Sequence, residues 1–410
     1  MKVSIAANQQ RTFLRLVAGL RPHWRRDPAL PARIQALFAR HREFGARDRR
    51  LYRELMFTTV RYLPWIEPML DTDPGEATRR VAWLAAETPA TRVFRATFAM
   101  GDPPTGDKAE LLPGWFRPHC PAIFQGAELA AQLRRAPLWL RLQTDAPAAV
   151  FEEFSRRGWA WRASDVIAGA IQLLAEADVT TSEAWRNGLD EVQDLGSQMI
   201  LESIGVERGG RWLDACTGAG GKTLQLARLL GPGGAIDAHD VRASALDELR
   251  TRTRRASHVC HLIDDKGDRT AAQRKTAIRI VRADSSRLQG NYDGVLVDAP
   301  CSGSGTWRRA PHLKWVTTDE AIVRAAATQR TLLAQYSSRV KPGGRLVYAT
   351  CSLSARENED VVNTFLTAHP EFRPEPFVRN FGAMQRSVGL LILPAQHDTD
   401  GFFVASLRRR

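Results

Sequence analysis

Two cysteines are the residues of this chain best suited to chemistry. Cys301 follows the predicted strand GVLVDAP, which also carries Asp298, and Cys351 follows the predicted strand RLVYAT. In an open α/β sheet, ligands and reactive groups collect at the carboxyl ends of the strands. Two thiols and a carboxylate at that edge are typical of covalent catalysis on an electron-poor ring, because a thiolate is a strong nucleophile.

The alternative for Cys301 and Cys351 is a structural role as buried, apolar-like thiols, which is a common fate of free cysteine. Their position after strand ends favours catalysis, whereas a structural role is favoured for Cys120 and Cys260. The five cysteines are odd in number and include no CxxC pair. This pattern argues against a zinc site or a disulfide framework. We therefore expect no metal, and free thiols in a reducing cytoplasm.

A glycine-rich turn lies in RWLDACTGAGGKT, between a predicted strand and the start of a helix. Glycines let a backbone approach a ligand closely, although a tight turn without a ligand remains an alternative. The motif is neither GxGxxG nor GxxxxGK[ST], which disfavours a dinucleotide or a nucleoside triphosphate. The candidate cofactor-binding residues of this turn are Cys216, Thr217, Gly218, Ala219, Gly220, Gly221 and Lys222.

Three aspartates follow the next predicted strands and extend this candidate site. Asp240 lies about one βα unit after the glycine-rich turn, where nucleotide-type sites place a ribose-binding carboxylate. Asp284 follows the next strand, within reach of an adenine, and Asp298 follows the fourth. Each aspartate alone could be a helix N-cap. The series of four strand ends favours a nucleotide-type cofactor that contacts all three.

The chain divides into three predicted domains. Residues 1–125 place apolar side chains at helical spacing, as in DRRLYRELMFTTVRYLPW, and residues 135–185 combine strand-like and helical pieces. Residues 190–410 alternate strands with helices, which predicts an α/β fold with a doubly wound parallel sheet. We therefore expect a helical domain, a small α+β module and a larger α/β domain, in that order.

The charge of the chain favours a polyanionic partner. The net charge is +13, and the first 55 residues carry thirteen Arg or Lys against four Asp or Glu. Such a balance predicts salt-dependent attraction to phosphate, although it also fits an ordinary solvated surface and does not separate RNA from DNA. No apolar run approaches the ~18 residues that a membrane span needs. The N-terminus lacks a secretory signal pattern, so we expect no membrane association.

The motifs DACTGAGGKT, VQDLGSQ, DAPCSGSGTWRR, KPGGRLVYATCSL and DGFFVA together resemble the NOL1/NOP2/Sun family of RNA cytosine-C5 methyltransferases. They occur in family order over Glu191–Arg408. The resemblance implies a Rossmann-like methyltransferase sheet that ends in an antiparallel strand, here GFFVASLR. The layout of the first 185 residues resembles the bacterial ribosomal-RNA branch, which implies a NusB-like RNA-binding domain and a small RNA-binding α+β module.

The resemblance also implies roles for individual residues. Cys351 attacks C6 of cytosine, which makes C5 nucleophilic, and Cys301 assists the later loss of the C5 proton and release of the enzyme. Asp298 bonds the N3/N4 edge of the base, and Lys222 supplies an electropositive setting or orients substrate and cofactor. The implied methyl donor is S-adenosylmethionine.

This chain departs from the family pattern at two places. Thr217, Gly218 and Ala219 stand where the family usually has Ala-Ala-Pro, and His312 stands where it usually has Asp. After the first cysteine motif, Trp307–Arg309 and Lys314–Trp315 combine cations with aromatics. Such pairs suit single-stranded RNA through phosphate contact and base stacking. The alternative places the tryptophans in a core and the arginines on a surface.

The sequence therefore predicts a cytoplasmic, monomeric, S-adenosylmethionine-dependent RNA cytosine-C5 methyltransferase acting on 16S ribosomal RNA, without a metal or a membrane anchor. One alternative is a transfer-RNA methyltransferase on the same fold. A second is a catalytically idle RNA-binding assembly factor, against which the intact pair Cys301 and Cys351 argues. A third is a DNA cytosine methyltransferase, in which Cys301 rather than Cys351 is the nucleophile.

Overall fold

The structure, a computed structural model, describes residues 2–263, 275–282, 288 and 290–410. The described residues form two compact units. The first holds the chain up to Arg134 together with Thr306–Asp319, and the second holds Arg135–Gly305 together with Glu320–Arg410. The short segment that follows the first cysteine motif thus packs with the N-terminal helices, although the sequence analysis assigned it to the methyltransferase domain.

Helices make up most of the first unit and flank the sheets of the second. In chain order, the helices of the described residues are α1 (Lys2–Leu20), α2 (Leu30–Arg40), α3 (Ala46–Arg61), α4 (Leu63–Ile66), α5 (Met69–Thr72), α6 (Pro74–Leu84), α7 (Arg92–Phe98), α8 (Gly126–Leu133), α9 (Ala148–Arg156), α10 (Glu183–Arg186), α11 (Leu195–Ile204), α12 (Gly221–Leu230), α13 (Ala243–Arg255), α14 (Leu313–Val316), α15 (Asp319–Ser337), α16 (Glu359–Ala368) and α17 (Pro394–His397).

The strands all belong to the second unit. In chain order they are β1 (Leu138–Leu142), β2 (Trp161–Ala163), β3 (Ala170–Leu173), β4 (Asp190–Val192), β5 (Arg211–Asp214), β6 (Ala235–Asp240), β7 (Cys260–Ile263), β8 (Thr276–Arg282), β9 (Tyr292–Asp298), β10 (Val340–Thr350), β11 (Phe372–Pro374), β12 (Met384–Gln385), β13 (Leu390–Ile392) and β14 (Phe402–Arg409).

Amphipathic helices build the first unit, as the apolar spacing predicts. In α3, Leu51, Leu55 and Val60 are buried, while Arg53 on the same helix is exposed. The helix begins after Gly45, whose N–H donates to the side chain of Asp48 (3.3 Å). Such a contact satisfies one of the N–H groups that a helix leaves unpaired at its start.

The second unit contains two sheets. The smaller one has the strand order β2-β3-β1-β4 with antiparallel pairing throughout, and α9 follows its first strand. The larger one has the order β12-β13-β14-β10-β9-β5-β6-β8-β7, with β11 beside β14. The ladder from β10 to β7 is parallel. This mostly parallel sheet confirms the predicted α/β class.

The end of the chain also confirms a sequence-based prediction. The segment GFFVASLR forms β14, which pairs antiparallel to β10, with Tyr348 opposite Ala405. Residues 402–407 of β14 and 344–350 of β10 are buried without alternation. Continuous burial of this kind means that both faces of these strands are covered, as in a sheet with helices on its two sides.

The strand order reverses at β5. From β5 the chain moves to β6 and β8 on one side, and then returns to β9 and β10 on the other. Ligands of open α/β sheets bind at such a reversal, outside the carboxyl ends of the strands. The sheet therefore places the loops after β5, β6, β9 and β10 around one crevice.

Candidate active site at the carboxyl ends of the strands

The structure brings the two predicted catalytic cysteines together. β9 and β10 are parallel neighbours, and Asp298 at the end of β9 lies opposite Ala349 of β10. Each strand then leads into its cysteine, and the Sγ atoms of Cys301 and Cys351 lie 3.3 Å apart. Both thiols are partly buried and form no disulfide. The pairing of two adjacent strands thus places two thiols from distant parts of the sequence in hydrogen-bond contact.

The contact with Cys351 favours the protonated form of Cys301. The hydrogen bond with Cys351 raises the pKa of Cys301 well above its usual value, and burial and the negative charges of Cys351 and Glu357 add to this effect. The raised pKa favours Cys301 as the donor in this contact and Cys351 as the acceptor. A thiolate at Cys351 is stabilised by this contact, since a hydrogen bond to an ionised acceptor is stronger than one to a neutral acceptor.

A partly buried ion pair lies beside the cysteines. Lys222, in the first turn of α12, donates from Nζ to Oδ2 of Asp298 (2.8 Å) and lies 5.5 Å from the ring centre of Phe402. Burial opposes the charged form of Lys222. The charge of Asp298, its hydrogen bond and the charge of Cys351 outweigh this opposition and raise the pKa of Lys222. The lysine is thus a cation that Asp298 and Cys351 share.

The glycine-rich turn after β5 has the backbone conformation that its sequence predicts. Gly218 and Gly220 have positive φ angles of 50° and 90°, a region that favours glycine. The N–H of Thr217 donates to the carbonyl of His239 (3.0 Å), and the N–H of Gly220 donates to the carbonyl of Thr217 (2.9 Å). A β-carbon on Gly220 would collide with Leu249. The turn therefore brings its backbone close to the end of β6.

Asp240 at the end of β6 binds the same turn. Its Oδ2 accepts the N–H of Gly218 (2.9 Å), and its carboxylate also accepts the backbone N–H and the guanidinium of Arg242 (2.9–3.0 Å). Burial alone would raise the pKa of Asp240, but these donors outweigh it and lower the pKa below its usual value. Asp240 is therefore an ionised acceptor in the position predicted for the ribose-binding carboxylate.

Asp214, the last residue of β5, belongs to the same site, although the sequence analysis did not select it. Its Oδ2 accepts the hydroxyl of Thr223 (2.7 Å), while its Oδ1 is buried and has no hydrogen-bond partner among the described residues. Burial raises the pKa of Asp214 to about 7. An unpaired buried acceptor costs stability unless a ligand satisfies it. The LDAC segment could have revealed it, because it places an acid at the end of the strand before the turn.

These residues fit a nucleotide-type cofactor. The turn offers glycine backbone in left-handed conformations, Asp240 offers an ionised carboxylate, and Asp214 offers an oxygen that lacks a partner. Asp284, predicted as a further contact, lies outside the described residues. Within the described part of the chain, no group of three or more His, Cys, Asp or Glu side chains could hold a metal ion.

A sequence profile for a known family matches this part of the chain. The profile is described as 16S rRNA methyltransferase RsmB/F, and it matches residues 200–408. The chain belongs to this family. The matched region of RsmB/F sequence begins in α11 and ends in β14, so it includes every strand of the larger sheet. The sequence-based assignment to the NOL1/NOP2/Sun methyltransferases is thereby confirmed.

Curated relatives support the RsmB/F assignment. A ribosomal RNA small subunit methyltransferase B from Shewanella oneidensis is 30% identical over 74% of this chain and 69% of its own length. A probable ribosomal RNA small subunit methyltransferase B from Bacillus subtilis is 28% identical over 70% of this chain. The chain spans 63% of that Bacillus protein, which is less than two thirds of its length.

Solved structures share the fold of this RsmB/F chain. The crystal structure of PH0851 matches with a TM-score of 0.70 and 23% identity, over 92% of this chain and 93% of the other. NSun6 from Pyrococcus horikoshii with SFG matches with a TM-score of 0.59 and 18% identity, over 74% and 98% of the two chains. At these identities the similarity concerns the fold.

The departure of this chain at Thr217–Ala219 has a structural counterpart in α13. The Nη1 of Arg252 donates to the carbonyl of Ala219 (2.8 Å), and the Nη2 of the same side chain donates to Glu191 in β4 (2.6 Å). Glu191 is buried and also pairs with Arg255. Arg252, itself bonded to the buried Glu191, thus holds the turn at the position where the family usually has a proline. Sequence spacing gives no signal for this long-range contact.

The second departure, His312, lies in the first unit and not at the site. It is buried, and its Nε2 contacts the carbonyl of Pro28 (3.1 Å). Neighbouring Lys314 is also buried, and its Nζ donates to the carbonyls of Arg61 (2.7 Å) and Leu111 (2.8 Å). These contacts anchor the Thr306–Asp319 segment among the helices of that unit.

The aromatic residues of that segment share its packing. Trp307 is 1% exposed and its ring centre lies 4.6 Å from that of Phe116, while the Nε1 of Trp315 donates to the carbonyl of Val60 (2.7 Å). Of the two possibilities that the sequence left open, core packing therefore holds for Trp307 and Lys314. The surface position that the same alternative gave to the arginines does not hold for Arg308, which is buried. Packing against distant helices, which local sequence does not show, decides between the two.

Proposed function

We propose that this RsmB/F family member is an S-adenosylmethionine-dependent RNA cytosine-C5 methyltransferase that acts on ribosomal RNA of the small subunit. The observation that carries the proposal is the pair of thiols, Cys301 and Cys351, 3.3 Å apart beside the Lys222–Asp298 ion pair at the strand-order reversal. Cytosine C5 is a poor nucleophile, and a cysteine thiolate that adds to C6 activates C5.

Cys351 is the proposed nucleophile. Its thiolate forms a bond to C6, and the electrons of the C5–C6 double bond move toward N3 and O2. Lys222 stabilises the thiolate before attack, because its charge and that of Cys351 interact. Asp298 accepts a hydrogen bond from the N4 amino group, and the Lys222–Asp298 pair supplies a proton toward N3 as the ring becomes electron-rich.

Cys301 is the proposed group for release. When bound, S-adenosylmethionine supplies the electrophilic methyl group that the activated C5 accepts. The C5 proton then leaves to water, and the electrons of the C5–H bond restore the C5–C6 double bond. The C6–S bond breaks with its electron pair returning to the sulfur of Cys351, and the proton at N3 returns to the Lys222–Asp298 pair. Because Cys301 keeps its proton, its S–H donates to this departing thiolate and favours elimination. The chain's elevated Cys301 pKa supports an assisting role and disfavours attack by Cys301.

The residues proposed to hold the cofactor are the turn Cys216–Lys222, Asp240 and Asp214, with Asp298 at the substrate side and Asp284 as a further predicted contact. Burial raises the pKa of Cys216 far above its usual value, and the charges of Asp214, Asp298 and Asp240 raise it further. We therefore assign Cys216 to the cofactor turn by its backbone and not to chemistry as a thiolate.

The two remaining parts of the chain are proposed to bind RNA. The helical residues 1–125 are basic, and residues 135–185 form the small antiparallel sheet. Among the described residues no helix is long and apolar enough to cross a membrane. We propose a cytoplasmic location, where ribosomal RNA is assembled and where the free thiols stay reduced.

The test supplies purified protein with labelled S-adenosylmethionine and either small-subunit ribosomal RNA or transfer RNA. We expect label in ribosomal RNA, and bisulfite sequencing of RNA from a deletion strain should show one or more missing 5-methylcytosines there. Label confined to transfer RNA would replace the ribosomal substrate. The absence of label in any RNA, from protein that binds the cofactor, would support an idle assembly factor instead.

A further inference from the structure

One carboxylate contacts both loops that carry the cysteines. Glu357 is completely buried and lies in the chain segment that connects β10 to α16. Its Oε1 accepts the backbone N–H of Ser302 (2.8 Å), and its Oε2 accepts the hydroxyls of Ser302 (2.5 Å) and Ser352 (2.5 Å). Ser302 directly follows Cys301, and Ser352 directly follows Cys351. The same side chain therefore bonds the residue next to each reactive thiol.

Further hydrogen bonds hold Glu357 itself in place. The Nε2 of Gln329 in α15 donates to both Oε1 of Glu357 (3.0 Å) and the carbonyl of Pro300 (2.9 Å), one residue before Cys301. The hydroxyl of Tyr348 donates to the backbone carbonyl of Glu357 (2.6 Å). These bonds restrain Glu357 from α15 and from β10. The cysteine loops are thus tied to one fixed point in the fold.

A carboxylate suits this position for a physical reason. The side chain of Glu357 receives hydrogen bonds from one backbone N–H, two serine hydroxyls and one amide, all of them neutral. A buried carboxylate is stable only when donors of this kind surround it. Its charge also contributes to the raised pKa of Cys301. An apolar side chain would leave these donors buried without an acceptor, which is costly.

We propose that Glu357 is a positioning residue that holds the Cys301 and Cys351 sulfurs in contact. The proposal rests on the function assigned above to the two cysteines, and it assigns Glu357 no contact with substrate. Loss of the hydrogen bonds of Glu357 separates the two loops, so that Cys301 no longer assists Cys351. Loss of its charge alone leaves the loops close but makes Cys301 a stronger acid.

The first test measures the sulfur spacing in RNA-free protein, without methyl transfer. Diamide accepts two electrons and two protons when two neighbouring thiols form a disulfide, and the product is read by mass spectrometry of peptides. We expect rapid formation of the Cys301–Cys351 disulfide in the unchanged protein. Glu357→Ala should slow it at least tenfold, while Glu357→Gln, which keeps the shape of the side chain, should slow it much less.

The matched control is Asp360→Asn, which removes an exposed carboxylate from the first turn of the neighbouring α16. We expect no change in disulfide formation. If Glu357→Ala does not fold, Ser302→Ala and Ser352→Ala each remove one of the two serine hydroxyls that donate to Glu357. Each of these variants should slow disulfide formation severalfold. Folded Glu357→Ala, or both folded serine variants, with the spacing and rate of the unchanged protein would overturn the proposal.

The second test measures the charge effect. In Glu357→Gln, the pH at which Cys301 is alkylated by iodoacetamide should move to a lower value, while the affinity for S-adenosylhomocysteine should be unchanged. A purely structural role would change stability without moving this pH profile. Both tests use free protein, so a result that fits Glu357 while no RNA is methylated would refute the proposed function and leave the positioning role standing.

Discussion

The loops that follow β9 and β10 differ from the turn that follows β5 in what holds them. The cysteine loops meet at Glu357, which is fully buried and bonded by neutral groups of the surrounding core. The cofactor turn is held at two separate points, by Asp240, which accepts the N–H of Gly218, and by Arg252, which donates to the carbonyl of Ala219. Asp240 is in turn bonded by Arg242, whose side chain is 66% exposed. The two cysteine loops therefore share one buried anchor, whereas the cofactor turn depends on separate side chains, of which one is supported by an exposed arginine.

This difference has a chemical reason. The thiols must lie within hydrogen-bond distance of each other before RNA arrives, because a rigid arrangement avoids reorganisation during the reaction. A cofactor must enter and leave at each turnover, so its turn has to open. Contacts of exposed arginines are weak in water and are replaced easily. Variants of each region should therefore affect different steps.

The cysteine side is expected to give the largest loss. Cys351→Ala removes the proposed nucleophile, so methyl transfer to RNA should fall by at least ~10⁴-fold, as for loss of other covalent catalytic groups. Binding of S-adenosylhomocysteine, measured by calorimetry, should remain. The matched control is Cys260→Ala, which removes a buried thiol whose hydrogen bond within the described residues is to the carbonyl of Ala256. This variant should retain methyl transfer.

Lys222 connects the two regions and should give the next largest effect. Lys222→Met keeps the length of the side chain but leaves Asp298 and Cys351 without their shared cation. We expect kcat to fall by about 10²–10³, comparable with the loss of one transition-state donor. The pH at which Cys351 is alkylated should rise at the same time. An unchanged alkylation profile would show that Lys222 does not act on the thiol.

Asp214 should make the stability of the cofactor side depend on pH. Its pKa is about 7 in the folded protein and 3.8 by its usual value. Between these values the folded state holds a proton that the unfolded state has lost, so stability falls as pH rises. Asp214→Asn removes this cost, which amounts to up to about 4 kcal/mol at pH 8. We expect the free energy of unfolding, measured with urea at pH 5 and pH 8, to differ less between the two pH values in the variant. An equal difference in both proteins would contradict a raised pKa of Asp214.

Arg252 should have the smallest effect, and only on the cofactor side. Arg252→Ala removes the bond to the carbonyl of Ala219, so the affinity for S-adenosylhomocysteine should fall about tenfold, near 1.4 kcal/mol. Ala219→Pro should restore part of it by stiffening the turn. Arg254→Ala, an exposed neighbour on the same helix, is the control. Slower disulfide formation between Cys301 and Cys351 in Arg252→Ala would break the separation of the two regions.

The sequence predicted the parts of this molecule that are local. Alternation and apolar runs predicted β5, β6, β8, β9 and β10, and the antiparallel β14 followed from the family resemblance. Because the carboxyl ends of neighbouring parallel strands meet at one edge, strand position alone predicted that Cys301 and Cys351 lie close together. The glycine-rich turn and Asp240 followed from the same rule.

Long-range packing was not predictable in this way. Glu357 and Arg252 look like ordinary charged helical residues in the sequence, and only the fold shows that each reaches a loop far along the chain. Trp307 and Lys314 looked like RNA contacts because a cation beside an aromatic suits either a core or a nucleic acid. Their burial among the helices of the first unit comes from partners that local sequence does not identify.

The central claim is that Cys351 attacks and Cys301 releases. The most direct measurement incubates Cys301→Ala protein with substrate RNA and S-adenosylmethionine and separates the products on a denaturing gel. We predict a slowly migrating covalent protein–RNA band, absent when Cys351→Ala is added to the same chain. A band from the single Cys351→Ala variant, with none from Cys301→Ala, would reverse the two roles and contradict the account.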